Sequence, residues 1–215
     1  RTAPFPNVGA VEQRVRVVWA SVAGTSGAAD AVIESVLALH REAHRRYHGV
    51  RHLAEVLGAV SSASTELAVA YRRRLVAAAC FHDAVYEPRS ATNEADSADL
   101  AERALSALGW DSDDLAEVRR LVLATRTHES GDPLAALLLD ADLAVLGAEP
   151  AAYADYARGV RQEYAFVDDA AWRVGRADVL RPFLDRPVIF RTEAFAPREA
   201  RARANLTAEL AALAQ

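Results

Sequence analysis

Three groups of residues have the types and spacing for acid–base or metal chemistry. The first is the adjacent pair His82-Asp83, which follows the uniformly apolar run Leu75-Val76-Ala77-Ala78-Ala79-Cys80-Phe81. Such a run belongs in a buried helix, and two ionisable groups at its end need partners, because burying an unpaired polar group costs several kcal/mol. A divalent cation would serve both; a solvent-facing helix cap is the alternative. The second group is Tyr47-His48-Gly49-Val50-Arg51-His52. On a helix His48 and His52 would share a face, which suits one ligand and one acid or base at a common site. His40 and His44 continue the spacing, but a four-residue repeat also arises on a solvated stripe, and these two read as structural. The third is Leu139-Asp140-Ala141-Asp142-Leu143, two carboxylates within an apolar helix. Carboxylates are rarely buried unless paired or metal-bound. Being two apart they cannot share a helix face, so one should point to a site and the other elsewhere.

The elements that must position these groups are helical. Apolar residues recur at helical spacing almost throughout, and alternating strand patterns are nearly absent. The expected helices cover roughly 10–23, 28–46, 48–60, 64–85, 94–109, 112–128, 133–147, 150–166, 169–185 and 197–214. Asp132 before Pro133 reads as an N-cap followed by Pro at the first helical position. Gly147 and then Glu149-Pro150 mark the stop of one helix and the start of the next. Asp111-Ser112-Asp113-Asp114 places negative charge at a helix N-terminus, where the dipole favours it. Arg186-Pro187-Val188-Ile189-Phe190-Arg191-Thr192 breaks the pattern and reads as an extended arm or a short strand. Pro4 and Pro6 suggest a loose tail over residues 1–9. Without an internal repeat or a linker-like stretch, residues 10–215 read as one all-α domain of roughly eight to ten helices.

Composition narrows the function. The chain has 215 residues, 52% of them hydrophobic, enough to fill a core and too many for a disordered chain. A net charge of -5 without a basic block argues against nucleic acid as partner. All 25 basic residues are arginine, so any phosphate clamp must be a guanidinium, which binds phosphate bidentately. The single cysteine, Cys80, rules out an internal disulfide and a thiolate zinc site and reads as a small core residue. No apolar stretch reaches the roughly 20 residues that span a bilayer, and the first residues carry no signal-peptide pattern. A cytoplasmic protein with no membrane partner is expected.

Taken together the order is His, then His-Asp, then Asp, each on a different helix. In this order the chain resembles the HD superfamily of metal-dependent phosphohydrolases, and within it the small predicted HD phosphohydrolases with the motifs YHN-x-x-H, HD-x-x-Y, N-E-x-x-S, T-x-H and L-D-A-D-L. Here these read Tyr47-His48 to His52, His82-Asp83 to Tyr86, Asn93-Glu94 to Ser97, Thr127-His128 and Leu139 to Leu143. The C-terminal stretches 186–192 and 200–206 are also similar to that family, so the resemblance spans nearly the whole chain from about residue 10. One departure is Gly49, where the family has Asn; glycine offers no side chain to cap a helix or touch a substrate.

The resemblance implies a metal held by His52, His82, Asp83 and Asp142, with Asp140 as the fallback for the last. Two imidazoles and two carboxylates suit Mn, Fe, Co, Ni or Mg; whether one ion or two is left open. It further implies His48 as the acid that protonates a leaving group and Glu94 as a residue that orients water or a ligand. His128, Arg51, Arg126 and Asp140 are the candidates for a second metal or for the phosphate. The implied activity is hydrolysis of a nucleotide or another small phosphate ester by a metal-activated water. A di-iron oxygenase and a non-catalytic metal or nucleotide sensor are the alternatives, and a homodimer is left open.

Overall fold

The computed structural model describes residues 8–215. Residues 1–7, most of the expected tail, lie outside the described residues, whereas Val8 and Gly9 already belong to the first helix. The described residues form ten α-helices and no strand, which is the all-α class expected from the apolar spacing. The chain divides by its internal contacts into two compact units, one through Leu138 and one from Leu139. The division falls inside a helix, at a point where the sequence has neither a linker nor a change in composition.

The first unit holds α1 (Val8–Ala23), α2 (Gly27–His40), α3 (Val50–Ala63), α4 (Val69–Phe81), α5 (Asn93–Ala107) and α6 (Ser112–Ala124). Its centre is α4, which packs on α1, α3, α5 and α6. Every residue from Leu75 to Phe81 is buried, as a helix apolar on all sides must be. Burial of Leu75, Val76 and Phe81 contributes about 1.5–3 kcal/mol each. Trp19 of α1 meets Phe81 edge-on, ring centres 6.2 Å apart, and donates its indole N–H to Ala29 O of α2 at 2.9 Å. The outer end of α4 is fixed by Arg74, whose Nε donates to Asp114 Oδ1 at 2.5 Å. Asp111 caps α6 by accepting from the Asp114 N–H at 2.8 Å, as its position before a run of acids suggests. Cys80 is fully buried, and burial pushes its thiol up, so it is a core residue.

Several helix ends depart from the periodic pattern, two of them beside the histidine-rich stretch and the apolar run. α2 stops at His40 rather than running to residue 46, and α4 starts at Val69 rather than 64. Residues 41–46 are strong helix formers, but the bonds made by Arg45, described below, turn the chain away, and tertiary bonding outweighs propensity. His40 and His44 therefore lie on no common helix stripe.

α7 (Pro133–Asp142) carries the division between the units, and Asp132 caps it by accepting from the Ala135 N–H at 2.7 Å. The second unit continues with a 3-10 turn over Leu143–Gly147, α8 (Pro150–Glu163), α9 (Asp169–Asp185), a second 3-10 turn over Ala196–Arg198 and α10 (Glu199–Leu213). Gly147 is obligatory there: a Cβ would stand 2.5 Å from Arg198 Cβ. Asn205 of α10 donates to Leu146 O and Ala148 O at 2.8 and 2.9 Å, satisfying carbonyls that the end of the turn leaves open. Between α9 and α10 the segment 186–192 is an arm without strand pairing.

His40 generates a prediction about acid stability. Its ring is 2% exposed, with Nδ1 2.9 Å from Val36 O. Burial pushes its pKa down to about 3, against the opposing effect of the Val36 carbonyl. Once unfolded, the ring titrates near 6.5, so below that pH the unfolded chain binds a proton that the folded one refuses. The stability due to neutral His40 is thus complete above pH ~6.5 and declines as the pH falls toward 3. We expect His40 to account for about 2 kcal/mol of lost stability between pH 7 and 5, read by urea unfolding. His40→Gln should lose correspondingly less over that interval; an unchanged slope would remove His40 as the cause.

Candidate metal centre

The end of α4 delivers the central residues. His82 keeps helical backbone angles and its N–H bonds Ala78 O, so the imidazole leaves the helix at a fixed angle. Its Nδ1 lies 2.9 Å from Ala79 O. A carbonyl can only accept, so in the neutral ring Nδ1 carries the proton and Nε2 presents its lone pair. That Nε2 lies 3.3 Å from the Nε2 of His52, a buried residue in the first turns of α3. Asp83 Oδ2 completes the triangle, 3.3 Å from His82 Nε2 and 3.4 Å from His52 Nε2. Burial opposes charge on Asp83, yet His82, the hydrogen bonds from both histidines and the charge of His48 together hold its carboxyl well below the usual range.

These three groups can hold a metal ion, and among the described residues they form the one cluster of three such side chains whose ligand atoms all lie within 4.8 Å. The donor chemistry fits a cation. His82 Nε2, His52 Nε2 and Asp83 Oδ2 lie 3.3–3.4 Å from one another, close enough for one cation to touch all three. The mixed nitrogen and oxygen set is that of a divalent transition ion or Mg rather than of a thiolate zinc site.

Around the triangle stands an aromatic wall. Tyr47 lies against His52 with ring centres 4.7 Å apart, and His48 stacks on Tyr86 at 4.3 Å. His48 meets His52 edge-on at 5.6 Å. The expected juxtaposition of His48 and His52 is thus present, but not through a helix face. His48 lies in the turn before α3, and Gly49 is the extended N-cap residue of that helix. The glycine also relieves crowding, since a Cβ at residue 49 would come within 3.2 Å of His40 O. His44 stays outside the ligand triangle, with Nε2 2.8 Å from Tyr86 O.

The turn after His82-Asp83 is held by α5. Ser97 is buried; its hydroxyl accepts the Val85 N–H at 3.0 Å and donates to Val85 O at 3.2 Å. Asn93 does the same for Glu87, accepting its N–H and donating to its carbonyl, both at 3.0 Å. The polar positions of the Asn93-to-Ser97 motif are therefore backbone clamps, four residues apart on one face of α5. Glu94, between them, is half-buried in the first turn, where the helix dipole favours a carboxylate.

The remaining candidates fall elsewhere. Asp140, the fallback ligand and a candidate for a second metal or the phosphate, is engaged by the 186–192 arm. Its buried carboxylate accepts from the Arg191 N–H at 2.9 Å and from the Thr192 N–H and hydroxyl at 2.7 Å each, tying down the 186–192 arm. Asp142, roughly 200° further round α7, is half-buried in the second unit. Arg51 lies exposed in the first turn of α3, and Arg126 lies exposed beyond α6. His128 follows α6, which ends at Ala124 rather than 128; it is half-buried and, among the described residues, the one non-glycine with positive φ, at 51°. No helix among the described residues is long and apolar enough to cross a membrane.

Sequence reading missed Arg45. The side chain is buried and donates to three carbonyls around the centre. In a chain whose cations are all arginine, nothing in the sequence singles it out.

No family model matches this chain, and no curated protein matches it either.

We expect His52→Ala and Asp83→Ala each to weaken Mn²⁺ binding by at least ~100-fold, since even residues that only support ligands are worth about 10–100-fold. Equilibrium dialysis against Mn²⁺ measures this, and wild-type affinity in both variants would dismiss the triangle as a metal centre.

Proposed function

We propose that this protein is a metal-dependent phosphohydrolase of the HD type, acting on a nucleotide or another small phosphate ester. The observation that carries the reading is the buried triangle of His52, His82 and Asp83, with two imidazole nitrogens and one carboxylate oxygen facing a common point. Support comes also from the order of motifs along the chain, which resembles that superfamily. By the same resemblance Asp142 is the fourth ligand, an assignment resting on the Ala141-Asp142-Leu143 pattern.

His52, His82 and Asp83 would hold a divalent cation, which would supply Lewis acidity toward a water and toward the phosphoryl oxygens. The chain's own residues supply the rest. His52 and His82 offer imidazole nitrogens, and Asp83 offers a carboxylate oxygen with the negative charge that a cation needs. His48, edge-on to His52 and backed by Tyr86, is the proton donor to the leaving oxygen. Arg51, one residue before His52, is the guanidinium proposed for the phosphate, which an acidic chain must attract through local charge. Glu94, Arg126 and His128 keep auxiliary roles in water, phosphate or second-ion binding, on the resemblance alone.

The test is phosphate release from a panel of nucleotides and simple esters with Mn²⁺, comparing wild type, Asp83→Ala and His48→Ala. Wild type should turn over at least one compound, and Asp83→Ala none. His48→Ala should keep its Mn²⁺ yet lose about 10²–10⁴ in turnover, the usual worth of a positioned acid. Absence of release in Mn²⁺-loaded wild type across the panel would count against the hydrolase, and undiminished turnover in His48→Ala would remove it as the acid.

A further inference from the structure

One buried side chain outside the ligand triangle touches both turns that carry the site. Arg45 lies in the loop between α2 and α3, its side chain wholly shielded from solvent at 0% exposure. Its Nη1 donates to Asp83 O at 2.7 Å and to His48 O at 3.1 Å. Nη2 donates to Ala84 O at 2.9 Å, and Nε to the Glu42 carboxylate at 3.0 Å. The guanidinium carbon lies 5.5 Å from the centre of the Tyr86 ring, the ring on which His48 stacks.

The geometry has a consequence for the site. Asp83 and Ala84 are consecutive, so fixing both carbonyls fixes the peptide plane between them and the direction in which the Asp83 side chain leaves the backbone. The bond to His48 O ties the turn that bears the His48 ring to the same rigid fork. Only a guanidinium can do this, because its donors diverge in one plane; an ammonium is a point charge on a flexible stem. We infer that Arg45 is a positioning residue of the metal centre, holding the His48 turn and the His82-Asp83 turn in one register. This rests on the metal reading above, and its test separates the two.

The test uses Mn²⁺ affinity of the full chain, with Arg74→Gln as the control for lost stability. Arg74 also makes a partly buried ion pair, to Asp114 at 2.5 Å, but about two turns up α4 from His82. Arg45→Lys and Arg45→Gln should each raise the Mn²⁺ Kd by about 10–100-fold, while Arg74→Gln leaves it unchanged although its Tm falls. Ethylguanidinium added to Arg45→Ala should restore part of the affinity. Amide hydrogen exchange in the metal-free protein should quicken at residues 47–49 and 82–85 in Arg45→Gln and not in Arg74→Gln. A wild-type Kd in Arg45→Lys, or an equal loss in Arg74→Gln, overturns the inference. If Arg45→Gln does not fold, Glu42→Gln loosens the same guanidinium from a half-buried position and must raise the Kd in the same direction; no change there overturns it as well. Wild type that fails to bind Mn²⁺ would overturn the metal reading itself, whereas the exchange pattern reports on Arg45 alone.

Discussion

Three polar groups meet where an entirely apolar helix ends. From Leu75 to Phe81 α4 is buried on every side, so the residues that follow emerge inside the first unit rather than at its surface. His82 is buried and Asp83 half-buried, and His52 faces them from α3. Each must be satisfied locally, and the Ala79 carbonyl satisfies only one ring nitrogen of His82. The two Nε2 atoms lie 3.3 Å apart, both within reach of one Asp83 oxygen. Burial alone would raise the pKa of Asp83, and the surrounding histidines reverse that and hold its carboxyl well below the usual range. The core of the unit thus brings together two imidazoles and a carboxylate that could hold a metal ion.

Positions around this centre are set by side chains that bond to irregular backbone. Helices satisfy their own amides, but the turns at 47–49 and 82–87 cannot. Arg45 takes the carbonyls of His48, Asp83 and Ala84, Ser97 takes both groups of Val85, and Asn93 both groups of Glu87. The second unit uses the same device with opposite polarity. There carboxylates collect amides: Asp140 those of Arg191 and Thr192, and Glu199 those of Ile189 and Phe190, the last at 2.9 and 3.1 Å. In both units a long non-helical segment keeps one shape because a buried charge accounts for its backbone groups.

Charge on the rest of the molecule is largely paired off. Arg176 bonds Glu209 at 2.8 Å and Tyr156 at 3.0 Å in a buried cluster that Tyr153 also joins through Glu209. Arg119 and Arg120 are likewise tied to carboxylates. With a net charge of -5, the chain has no general attraction for an anion.

What the sequence determined by itself was whatever depends on order along the chain. Apolar spacing dictated the helical class, the all-apolar run from Leu75 dictated the buried end of α4, and Asp111 and Asp132 marked their helix starts. The pairing of His52 with His82-Asp83 was legible through the motif order. Tertiary structure decided what depends on partners distant in sequence. It gave Asp140 its partners, because the 191–192 amides that its carboxylate accepts lie some fifty residues away. It ended α2 at His40 and brought His48 to His52 through a turn rather than a helix face, since propensity measures only local cost while Arg45 draws its bonds from two separate turns. It also turned Asn93 and Ser97 from motif letters into clamps, because a hydrogen-bond partner is fixed by proximity in the fold and leaves no mark on spacing.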